Sequence, residues 1–135
     1  MPIGKIASPV DVAVSGLRAE SLRMNVIANN IANSNTTRTP AGEPYRRKEV
    51  VLSTNPGELS GVSIDQVSAD SSDFKTVFDP GDPYANAEGY VQMPNVELPL
   101  EMMNMITASR SYQANAAVLK RYQEMVDVAL DTVKS

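Results

Sequence analysis

At both ends of the chain apolar residues recur on an alternating spacing of three and four, and this periodicity constrains the fold more than any other feature. The first series is Ile3, Ile6, Val10, Ala13, Leu17, Met24, Ile27 and Ile31, broken only at Glu20. Such spacing draws one apolar seam along a helix, the pattern of helices that pair lengthwise. Ser8-Pro9-Val10-Asp11 supplies an N-cap, a proline at the first helical position and an acid three residues after the cap. The spacing predicts a helix over roughly residues 8–34. It ends in Asn33-Ser34-Asn35-Thr36-Thr37, where short polar side chains compete for backbone hydrogen bonds.

The C-terminal end mirrors this. Met102, Met105, Tyr112, Ala116, Leu119, Val126, Leu130 and Val133 keep the same register, with Ser109 and Gln123 as polar interruptions. Pro99 stands near the start and no Pro or Gly follows it. A helix from about residue 98 to about residue 133 is expected, on the order of 50 Å long. Two long helices, each with an apolar seam, require partners.

Between them the pattern changes. Five of the seven Gly and most of the Pro fall here. Residues 45–52, 62–67 and 74–78 read as short strands, and Asn55-Pro56-Gly57 and Asp79-Pro80-Gly81-Asp82-Pro83 as turns. Six acids and one Lys lie between Asp65 and Glu88, so this stretch is expected to face solvent. The fold class that follows is mainly α with a small β-rich insertion. Residues 1–36 and 96–135 form a discontinuous helical coiled-coil domain, and 37–95 a small β-rich outer domain.

Composition narrows the function. The chain has no Cys and no His, which removes thiol nucleophiles, His-based triads, imidazole bases and the usual zinc sites. A net charge of −4 gives no general attraction to nucleic acid. Met1-Pro2-Ile3-Gly4-Lys5 lacks the basic and apolar regions of a secretory signal, and no stretch approaches the length of a membrane-spanning helix. The expectation is cytoplasmic residence or export without a cleaved signal, and no membrane insertion.

Signals for chemistry are weak. The Gly residues never fall as GxxxxGK or GxGxxG, and there is no GxSxG. Asp70 with Asp73 and Asp79 with Asp82 are spaced as turn acids. No catalytic residue, cofactor or metal is indicated, and the chain reads as a non-enzyme. Arg46-Arg47-Lys48 reads as a solvated strand edge that discourages stray pairing. Met102, Met103 and Met105 read as packing. Ala28-Asn29-Asn30-Ile31-Ala32-Asn33-Ser34-Asn35-Thr36 is the least ordinary segment, because Asn is a mediocre helix former. Asn29 and Asn33 are four apart and can face one neighbour. A fraying helix end is the equal alternative.

Ile27-Ala28-Asn29-Asn30-Ile31-Ala32-Asn33-Ser34-Asn35-Thr36 resembles the helix end shared by the flagellar rod, hook and hook–filament-junction family. The second half agrees. Gly89-Tyr90-Val91-Gln92-Met93-Pro94-Asn95-Val96, Glu101-Met102-Met103 and Ala108-Ser109-Arg110-Ser111-Tyr112-Gln113-Ala114-Asn115 are similar to the family's C-terminal motif. Thr36-Thr37-Arg38-Thr39-Pro40 and Pro44-Tyr45-Arg46-Arg47-Lys48 resemble its proximal-rod branch.

The resemblance implies a structural subunit exported through the flagellar type III apparatus, which then polymerises through paired terminal helices into the periplasmic drive shaft. It implies as partners copies of the chain itself, rod subunits of the FlgB, FlgF and FlgG types, the basal adaptor FliE and the MS ring. The candidate assembly interface is Val10, Leu17, Met24, Ile27, Asn29, Asn30, Ile31 and Asn33 on the first helix. On the second it is Met102, Met105, Tyr112, Asn115, Ala116, Leu119, Val126 and Leu130. A cytoplasmic coiled-coil adaptor or export chaperone would share the seams without needing the motif pair. A small hydrolase would need close, coupled acids in a pocket.

Overall fold

The computed structural model describes residues 8–54 and 61–135. The expectations for Ile3, Ile6 and the Asn55-Pro56-Gly57 turn lie outside the described residues. Helix α1 runs Pro9–Ala32 and helix α2 runs Leu98–Lys134, with strands β1 (Lys48–Thr54), β2 (Val62–Ala69), β3 (Lys75–Phe78) and β4 (Tyr90–Met93) between them. The fold is mostly helical with a small β part, as the periodicity predicts. Among the described residues no helix is long and apolar enough to cross a membrane.

The start of α1 follows from its sequence. The Ser8 side chain accepts from the Asp11 N–H at 3.2 Å, and the Asp11 carboxylate accepts from the Ser8 N–H at 3.2 Å. This reciprocal box satisfies two of the amides that a helix start leaves unpaired. At the other end the Asn33 N–H bonds the Asn29 carbonyl at 3.0 Å. Helix α2 starts with Pro99 in its first turn and Glu101 close behind, where the helix dipole favours a carboxylate.

The helices pack along each other in opposite directions. Asn30, near the end of α1, meets Glu101 at the start of α2, while Gly16 lies against Asn115. Small residues set the approach: Ala13, Gly16 and Ala19 on α1 and Ala108 on α2 are buried. A Cβ added at Gly16 would stand 2.8 Å from Asn115 Nδ2, too close for any carbon to sit without a shift.

Strands β1 and β2 form an antiparallel hairpin from Lys48 opposite Ala69 to Thr54 opposite Val62. Val51 pairs with Gln66 and Leu52 with Ile64, which leaves Asp65 as a bulged residue. The hairpin lies along α1. Ser15 Oγ accepts from the Val62 N–H at 3.2 Å, and at the far end Asn30 bonds the backbone of Lys48. Helix from Ser15 to Asn30 covers about 22 Å at 1.5 Å per residue. Strand from Lys48 to Thr54 covers about 20 Å, so the two lengths match.

Strands β3 and β4 form a second antiparallel pair, Lys75 opposite Met93 to Phe78 opposite Tyr90. The Phe78 and Tyr90 rings meet edge to face at 5.3 Å. Gly89, at φ +87°, turns the chain into β4, and a Cβ there would meet Phe78 at 2.9 Å. Strand β4 is an addition to the three strands read from sequence. Four residues between Gly89 and Pro94 give too short a window for alternation to register.

Candidate assembly faces and the polar joint

The buried face of α1 is broader than the single seam read from the sequence. Ala13, Gly16, Ala19, Val26, Ile27 and Asn30 are buried. Val10, Leu17, Met24 and Ile31 are half-buried at its flanks. The cause is that α1 packs against α2 and against the hairpin together, whereas heptad reasoning supposes one partner. On α2, Glu101 and Ala108 are buried, and Met105, Asn115, Ala116, Leu119 and Tyr122 half-buried. Met102 points away from the pair and is exposed, so the seam begins at Glu101 instead.

Beyond Tyr122 the second helix passes the Pro9 end of α1. There Val126, Leu130 and Val133 continue the seam and are exposed, Val133 at 83%. Val118, Met125 and Val128 form a further exposed apolar strip, with Met125 at 70%. A cleft of about 470 Å³ lies against Arg121, Glu124, Met125, Val128 and Ala129. Tyr112 is exposed as well.

The Asn-rich helix end divides sharply. Asn33 Nδ2 turns back to the Asn29 carbonyl of its own helix at 2.9 Å, and the Asn29 side chain is exposed. Among the described residues neither side chain hydrogen-bonds another helix or strand of the subunit. Asn30 does that work. It is fully buried, and its Nδ2 donates to the Lys48 carbonyl at 2.9 Å and to Glu101 Oε2 at 3.2 Å. Its Oδ1 accepts from the Tyr45 hydroxyl at 2.9 Å and from the Lys48 N–H at 3.0 Å. All four of its bonding positions are used. Toward Lys48 the amide supplies one donor and one acceptor, as a neighbouring strand would.

Glu101 is the charged centre of this joint. It is fully buried, and its second oxygen accepts from Arg47 Nε. Arg47 Nη1 donates to Glu49 and, at 3.3 Å, to Asp70. Burial opposes the charge of the Arg47 guanidinium, but its hydrogen bonds to Glu101 and then Glu49 outweigh that and hold its pKa above the ordinary value. Burial, with the Glu101 charge second, pushes the Tyr45 phenol upward, so it remains a donor to Asn30. The Ser72 N–H and hydroxyl, with Arg47 adding, hold the Asp70 carboxyl below its usual range.

A second buried amide works beside it. Asn95 Oδ1 accepts from the Arg47 N–H at 2.8 Å, while its Nδ2 reaches the Asp70 and Ser72 carbonyls at 3.2 Å. Arg46 lies over the Phe74 ring at 4.2 Å and donates to the same two carbonyls at 2.9 Å. The reading of Arg46-Arg47-Lys48 as a solvated edge therefore holds for Lys48 alone. Sequence reasoning placed Glu101 and Asn95 only inside a motif and gave them no task. One signal was present: Glu101, Met105, Ala108, Tyr112, Asn115, Leu119 and Tyr122 keep a strict four-three spacing, so a Glu opens the seam.

Asp82 and Asp70 accept from backbone amides two residues on, at 2.7 and 2.8 Å, as turn acids do. Among the described residues no cluster of three acids is placed to hold a metal ion.

Comparison with known proteins locates the pattern. A family model described as flagella basal body rod protein matches residues 11–38, and one described as flagellar basal body rod FlgEFG protein C-terminal matches residues 87–132. The flagellar basal-body rod protein FlgC of Yersinia enterocolitica is 47% identical over 119 residues, covering 86% of this chain and 89% of its own. The chain belongs to the flagellar basal-body rod protein family. The FlgC proteins of Salmonella typhimurium and Bacillus subtilis are 45% and 39% identical, covering 86% and 93% of the chain and 89% and 96% of their own. Its role is that of a structural basal-body rod subunit, in a family that assembles with other rod subunits. Within this rod protein, Asn30 lies in the first matched stretch and Asn95 and Glu101 in the second. Tyr45, Arg47 and Lys48, which complete the joint, lie between them.

Proposed function

We propose that the chain polymerises through its paired terminal helices into the proximal part of the flagellar rod, the periplasmic shaft that carries torque. The observation that supports this most is the exposed apolar surface of α2 from Val118 to Val133, on a helix whose other face is already paired. Burying each such side chain against a neighbouring subunit contributes about 1.5–3 kcal/mol. Heterologous contacts between such ridges generate open helical assemblies. Of the candidate interface residues, Asn29, Met102, Tyr112, Val126 and Leu130 are exposed, which supports this reading. Ile27, Asn30 and the half-buried seam residues act by holding the subunit's own helices together.

In this reading residues 1–36 and 96–135 make the inner assembly part and residues 37–95 the outer part. Its partners are further copies and subunits of the FlgB, FlgF and FlgG types, with FliE and the MS ring at the base. The chain reaches the periplasm through the flagellar type III apparatus with its first residues uncleaved. It has no catalytic activity, binds no nucleic acid and does not insert in the membrane. Gene deletion with complementation tests the reading. Loss of motility and of rods in electron micrographs, both restored by the wild-type chain, is expected, and normal rods in the deletion strain would refute it.

A further inference from the structure

We infer that the Asn30–Glu101–Arg47 joint couples the two parts of the subunit: pairing of α1 with α2 assembles the template on which β1 forms. The first hairpin is then ordered only where the terminal helices are paired. A lone two-stranded hairpin is marginal in water. This one has little to hold it from within, since Val51, Leu52, Ile64 and Val67 are all exposed. What fixes it is α1, through Ser15 at one end and Asn30 at the other.

The Asn30 contact depends in turn on the second helix. Among the described residues the hairpin packs on α1 and not on α2. The link from α2 to the start of β1 runs through Glu101, which reaches across 71 positions of sequence to Asn30 and across 54 to Arg47. One carboxylate oxygen fixes which way the Asn30 amide points, and the other holds the residue that enters β1. With α2 absent, the amide loses its third partner and Arg47 loses its buried counter-charge. The amide is then free to turn its donor and acceptor away from Lys48. The second hairpin is tied differently, because β4 runs through buried Pro94, Asn95 and Val96 directly into α2. Residues 37–95 are therefore an outer part by position and not a unit that folds by itself.

Hydrogen exchange read by mass spectrometry on the full-length chain tests this, using Asn30→Ala and Ala108→Asp. Ala108 is fully buried on α2, a helix that does not pack on β1 or β2, so an acid there acts on the helix pairing first. The expected result for Ala108→Asp is that residues 48–54 and 62–69 lose protection together with the helices. For Asn30→Ala, exchange in those two strands rises about tenfold or more, while the helices and residues 75–78 and 90–93 change by less than about threefold. A hairpin that stays protected when the helices exchange would overturn the inference. So would an equal rise in every segment of Asn30→Ala, which is only global loss of stability. Should Asn30→Ala fail to fold, Tyr45→Phe removes one of the four Asn30 bonds. A smaller rise confined to the first hairpin is then expected, and a uniform or absent rise overturns the coupling.

Discussion

Replacing Gly16 tests how closely the two helices approach. A Cβ at that position stands 2.8 Å from Asn115 Nδ2 and 3.0 Å from Cγ, so the Asn115 amide must move. Moving it breaks the bond from Nδ2 to the Ser111 carbonyl, 3.1 Å long, worth about 0.5–1.5 kcal/mol. Against this, Ala exceeds Gly as a helix former by about 0.8–1 kcal/mol. Gly16→Ala alone is thus expected to change stability by less than about 0.5 kcal/mol, the two effects offsetting. In the Asn115→Ala background the obstacle is gone, and the same substitution stabilises by about 1 kcal/mol, or about 3–5 °C in Tm. Gly16→Leu adds more bulk between the helices and is expected to cost about 1–3 kcal/mol. Urea unfolding followed by circular dichroism gives the four corners of the cycle. Additivity of Gly16→Ala and Asn115→Ala to within about 0.3 kcal/mol would refute the close approach.

Arg47→Met leaves the buried Glu101 carboxylate without its counter-charge and is expected to cost about 3–5 kcal/mol in urea unfolding. Adding Glu101→Gln should recover a large part of that loss, and no recovery would show that the pair is not coupled. The joint also sets a pH dependence. The Asp70 pKa is depressed in the fold, so its contribution is present above the ordinary value of 3.8 and is lost as pH falls through the lower folded value. Tyr45 is raised, so its contribution is present below 10.0 and lost as pH rises through the higher folded value. Thermal unfolding should show both limbs, with Asp70→Asn flattening the acid one and Tyr45→Phe the alkaline one. Leu119→Asp, on the half-buried seam, is expected to abolish incorporation into rods, measured by recovery of the variant in basal bodies.

The helices were legible because their signals are local and redundant. Ser8, Pro9 and Asp11 mark one start, Pro99 the other, and apolar spacing sets the length of each. The face they bury was less legible. Of the seam read from the sequence, Ala13 and Ile27 are buried while Val10, Leu17, Met24 and Ile31 lie half-buried at its flanks, because close approach favours Gly16 and the hairpin draws a second face of α1 inward. The joint was the least legible part, because its members come from residues 30, 45–48, 70, 95 and 101 and no periodicity connects them. Arg47 illustrates the difficulty. In sequence it is one of three consecutive cations on a strand, and only the fold brings Glu101 to it.

The most direct test of the central claim is mass spectrometry of detergent-extracted basal bodies from the native cells, beside the soluble fraction. The account predicts this chain in the basal bodies with its Met1 end uncleaved, establishing rod residence and signal-free export together. Recovery only from soluble cytoplasm, in cells that carry assembled flagella, would contradict it and leave a cytoplasmic adaptor as the better description.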